Sequence, residues 1–157
     1  MSAICVYREH IMQTMPDAAT LATIASIISG FGVTALVFRI QRELEMARRG
    51  EQTWITWADR LLIGAVLISL LLVVLPLASF PGSPRILKLA ASMCSASTVL
   101  VGGYIPSILA HYRLAFGRNR VGLRDNPEPA ERVWVYVTIL LSVAVALAVL
   151  LKSGYNH

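Results

Sequence analysis

Residues 39–60, RIQRELEMARRGEQTWITWADR, set five arginines (Arg39, Arg42, Arg48, Arg49 and Arg60) between two long segments with no charged side chain. A basic stretch flanked by apolar blocks of this kind reads as a cytoplasmic hairpin joining two membrane spans. Working outward, the chain holds four apolar blocks, at about 18–38, 61–80, 89–110 and 133–151. As helix each is roughly 30 Å long, the thickness of the hydrocarbon layer of a bilayer.

The composition agrees. Hydrophobic residues make up 56% of the chain and charged residues 15%, with a mean hydropathy of +0.65, too apolar for an ordinary soluble domain. The expected fold is therefore an all-α membrane protein, a four-helix transmembrane bundle in which residues 1–157 form one integral domain. Residues 1–17 are expected to be a flexible tail, with Met1, Met12 and Met15 all open as the start. The first apolar block is longer than a signal-peptide core and is followed by arginine, so it is expected to be a retained span.

A second basic linker, 113–132, carries Arg113, Arg118, Arg120, Arg124 and Arg132, whereas the other extramembrane pieces hold only Arg8, Arg85, Lys88 and Lys152. The positive-inside rule then gives an N-out, C-out topology with short Arg-rich cytoplasmic linkers, in a membrane of the bacterial inner type. The net charge of +5 and pI near 9.7 are read as orientation and headgroup contact rather than nucleic-acid binding. Arg39, Arg42, Arg48, Arg49, Arg118, Arg120 and Arg124 are the candidates for contact with anionic lipid headgroups or a partner.

Local signals add detail. Asp17 suits a helix start, and Gly50 suits the end of a helix that runs past the membrane surface to Arg49. Thr56 with Asp59 three residues on resembles a capping box, and Trp54 and Trp57 fall at interfacial depth. Pro76, near the outer end of span two, either kinks its last turn or is tolerated there, and residues 80–84 are expected to make a tight turn. In the second linker Asp125 and Asn126 before Pro127 read as a helix start, with Glu128 and Glu131 favouring the first turn.

Small residues recur every four positions in span one, at Ala18, Ala22, Ser26, Gly30 and Thr34, and crowd span three around Ser95, Gly102 and Gly103. In lipid such faces allow helices to approach closely. They are read as helix-packing positions inside the bundle, with pore lining in an oligomer as the alternative. Spans one and three are placed at the centre, and the Leu-rich span two is expected to be the most lipid-exposed. Pro106 in span three is a candidate hinge.

The spans hold no Asp, Glu, Lys, Arg or His at depth, which argues against ion-coupled transport and proton pumping. Cys5 and Cys94 have no metal or redox spacing, and a disulfide between them stays open. His111 has no second ligand at metal spacing. No hydrolase, nucleotide-binding or metalloenzyme signature is present, so no catalytic residue, cofactor or metal is assigned. The expected function is a non-catalytic interaction or assembly subunit, with the lipid bilayer, a second copy or a membrane-complex partner as its contacts. A homo-oligomeric ion channel or permeabilising effector is the alternative. An enzyme using Asp59 or His111 at the cytoplasmic face is the third reading.

Overall fold

The computed structural model describes residues 17–50, 56–80, 82–111 and 129–152. The expected tail with Cys5, the aromatic Trp54, the helix start at Asp125 to Pro127, Glu128, and Arg118, Arg120 and Arg124 all lie outside the described residues, as does the His111 side chain. The described residues form four helices and no strand: α1 (Ala18–Arg48), α2 (Asp59–Ser79), α3 (Pro84–His111) and α4 (Pro129–Lys152). Each is long and apolar enough to cross a membrane.

Helix α1 begins where a carboxylate can receive its orphan amides. The Thr20 N–H donates to Asp17 Oδ1 at 2.7 Å. Thr20, through its side-chain and then its backbone hydrogen bond, holds the Asp17 carboxyl below the ordinary carboxylate range. The helix ends at Gly50, whose φ of 74° only glycine adopts without strain and whose N–H donates to Ala47 O.

Span two departs from expectation twice. It is not the most lipid-exposed helix but the one with the largest buried share, 39% of its apolar window. Leucine is equally at home against lipid and protein, so a Leu-rich composition alone does not tell the two apart. Leu61, Leu62, Ala65, Ser69 and Val73 face inward, while Ile63, Leu67, Leu70, Leu71 and Leu72 face out. The disturbance by Pro76 also spreads further back. Residues Ser69–Val74 form a π turn, and the Leu75 N–H reaches back to Leu70 O. A proline ring clashes with the carbonyl four residues before it, and a widened turn moves that carbonyl away.

Helix α3 is the hub, packing against both halves of α2, against α1 and, along most of its length, against α4. Its small residues allow this: Ala90, Ser92, Cys94, Ala96 and Ser97 are buried. Two hydrogen bonds stitch α3 to α4 in both directions, from Ser92 Oγ to Ala146 O at 2.8 Å and from Ser142 Oγ to Ala96 O at 3.1 Å. Gly103 lies so close to α4 that an added Cβ would overlap the Thr138 side chain. The chain runs through Pro106 as one continuous helix.

One buried serine from each helix falls at the middle of its span: Ser29, Ser69, Ser97 and Ser142. Packing of Gly32 on Val66, and of Ala25 with Val73, puts Ser29 level with Ser69. Val73 and Cys94 share one buried cluster and Ala65 and Leu100 share the next, which brackets Ser69 and Ser97 between them. Ser29 and Ser97 bond the carbonyl four residues back on their own helices, whereas the Ser69 hydroxyl is buried with no hydrogen-bond partner among the described residues.

Candidate functional site

The polar side chains of the bundle gather at the linker end, where α1 leaves the apolar layer and α2 and α4 enter it. Arg39 sits one residue past the last apolar position of span one, so it reaches sideways rather than outward. Its side chain is only 11% exposed. Nη2 donates to Thr56 Oγ1 at 3.2 Å and lies 3.8 Å from Glu43 Oε1, and Nε meets Asp59 Oδ1 at 3.5 Å. This arginine is therefore an internal clamp between α1 and the start of α2, not the headgroup contact that its place in the basic linker suggested.

The capping box also does not form. Thr56 is engaged by Arg39, and Ala58, which precedes the first helical residue, makes no side-chain cap. Instead the Ala58 N–H donates to Glu131 Oε1 at 2.9 Å across 73 residues of sequence, and both residues are fully buried. A carboxylate at a helix N-terminus is favoured by the orphan N–H groups and their dipole. Glu131 sits in the first turn of its own helix as expected, but its carboxylate serves α2.

Beside this cap lies an aromatic and cationic group. The Trp57 ring is tilted 49° to Tyr136 with centroids 6.2 Å apart. The Arg60 guanidinium carbon lies 3.8 Å from the Trp57 ring centroid, and that of Arg132 lies over the same ring at 5.1 Å. These two cations enter from the first turns of α2 and α4. Sequence reading counted both only as linker charge, although Trp57 and Arg60 are one helical turn apart.

The other expected site residues scatter. Arg42, Arg48 and Arg49 are exposed on α1 or at its end, and Arg49 pairs with Glu45 at 3.0 Å. Ala22 is half-buried, whereas Ser26, Gly30 and Thr34 are exposed, so the stripe read as internal packing faces outward. The residues of α1 that pack inward are offset from it: Leu21, Ala25, Ile28, Ser29 and Gly32. The physical reason is that small residues occur on two adjacent sides of α1, and Val66 fits the groove at Gly32. On α3, Ser95 and Pro106 are half-buried, Gly103 is the close contact with α4, and Gly102 is exposed with open space at its missing Cβ.

The carboxylates of the described linker end are engaged. Asp59 is held by Arg39, Glu131 by a backbone amide and Glu45 by Arg49. No group of three metal-ligating side chains exists among the described residues. No protein family, curated protein or solved structure matches the chain.

Proposed function

We propose that this protein is a non-catalytic interaction or assembly subunit of a bacterial-type inner membrane, docking through the outward face of α1. The observation that supports this reading is Gly30. After the four helices have packed, Ser26, Gly30 and Thr34 remain exposed, and a Cβ added at Gly30 would meet nothing within 4 Å. Lipid needs no smooth surface, but a second helix does, since close backbone approach supplies packing where hydrophobic drive is absent. The outward side of α2, with Ile63, Leu67, Leu71 and Leu72, shows the bulkier pattern of a face turned to lipid.

The test is the mass of the nanodisc-embedded protein by native mass spectrometry, beside that of Gly30→Leu. A complex with a stoichiometric foreign subunit, lost in Gly30→Leu while the monomer still inserts, supports the docking face. An assembly unchanged by Gly30→Leu overturns it. A discrete homo-oligomer would favour the channel reading, in which Ser26 and Thr34 line a pore, and that reading requires ion flux to disappear with the oligomer.

A further inference from the structure

We infer that Arg60, Arg132 and Trp57 form a binding site for the phosphate of an anionic phospholipid headgroup on the linker side of the bundle. The two guanidiniums come from different helices yet lie over one indole, at 3.8 Å and 5.1 Å. Each cation–π contact is attractive by itself, and the repulsion between two like charges held at one ring is relieved by an anion that joins them. The nearby carboxylates Asp59 and Glu131 are engaged elsewhere, with Arg39 and with the Ala58 amide. Among the described residues, neither Arg60 nor Arg132 has an ion pair.

Stacking occupies the flat face of a guanidinium and leaves its N–H edges free to donate. Those edges match phosphate oxygens in spacing and charge. Both arginines are exposed and sit in the first turns of spanning helices, with Trp57 half-buried beneath them. That is headgroup depth, where indole rings settle and where a lipid phosphodiester is at high local concentration. A lipid rather than a soluble phosphate follows from this depth.

The inference rests on α2 and α4 spanning a bilayer, which liposome flotation of the full chain checks separately. The test titrates phosphatidylglycerol onto the detergent-extracted full chain and reads bound lipid by native mass spectrometry. The wild type should hold one phosphatidylglycerol more tightly than phosphatidylcholine. Replacing both cations, Arg60→Gln with Arg132→Gln, should weaken that binding at least about tenfold, the equivalent of one charge-assisted hydrogen bond. The control Arg85→Gln with Lys88→Gln removes the same charge at the start of α3 and should leave the tight site intact. Equal weakening in both pairs means general charge attraction and overturns the site. Displacement of the lipid by millimolar inorganic phosphate overturns the lipid as ligand. If the double variant does not fold, Arg60→Lys and Arg132→Lys keep the charge but lose the planar fork. Each should bind a few-fold more weakly, and unchanged binding in both overturns the proposal.

Discussion

Ser69 and Ser92 present the same hydroxyl to the same apolar interior, but their surroundings give opposite consequences. Ser92 Oγ donates to Ala146 O on the neighbouring helix at 2.8 Å, and Ser69 Oγ is buried without a partner among the described residues. Interhelical hydrogen bonds in membranes contribute about 0.6 kcal/mol on average and up to about 1.7. Ser92→Ala should therefore lower stability by about that amount. A buried hydroxyl with no partner carries its desolvation cost with no return, so Ser69→Ala should leave stability unchanged or raise it. Steric trapping of the two variants in bicelles measures both. A loss at Ser69 as large as that at Ser92 would show that the Ser69 hydroxyl has a partner after all. Nothing in the sequence separates the two serines, because both stand among apolar neighbours and the difference is a carbonyl 54 positions away that Ser92 reaches and for which Ser69 has no counterpart among the described residues.

Helix existence was legible, and helix surroundings were not. The start of α1 at Asp17 and its end at Gly50 follow from local chemistry that a short window contains: a carboxylate for the first amides and a residue tolerant of positive φ for the last turn. The start of α2 does not. Thr56 and Asp59 have capping-box spacing, but Arg39 takes Thr56 and pairs with Asp59, and the amide of Ala58 is served by Glu131 from α4. A tertiary partner has displaced a local one, and this also fixes α4 to α2 at the linker end. Glu131→Ala should leave a buried Ala58 N–H unpaired, at a cost of about 1–3 kcal/mol, whereas Glu131→Gln keeps an acceptor and should cost less. Hydrogen exchange at Ala58 and the first turn of α2 reads this directly. Equal protection in the wild type and Glu131→Ala would remove the remote cap from the account. The same tertiary choice explains the stripe on α1: periodicity identified a face for close packing, but two adjacent faces of that helix are small, and only the pairing of Gly32 with Val66 decides which one turns inward.

At the scale of the whole molecule, four apolar blocks with short connections leave little freedom. Antiparallel neighbours follow from the tight turn at Gly82, whose φ is 88°, and from length matched to the bilayer. Four spanning helices would put both termini on one side and both arginine linkers on the other, so a single bit, the direction of insertion, would set the topology. The expectation for that bit comes from the positive-inside rule: five arginines in each linker against four cations in all other extramembrane pieces together. The burial of Arg39 weakens the count little, since a buried guanidinium at the membrane edge still has to be translocated if the orientation reverses. In a cysteine-free background with Cys5→Ser and Cys94→Ser, Arg48→Cys should react with a membrane-impermeant maleimide only in inverted vesicles, and Ser83→Cys only in intact cells. Ser83 suits the test because its N–H only closes the turn to Phe80 O, so the side chain is spare. The opposite pattern would reverse the orientation and move the Arg60 and Arg132 site to the outer leaflet. Labelling of each position from both sides would mean that the chain inserts in two directions, a result that ten linker arginines make energetically unfavourable.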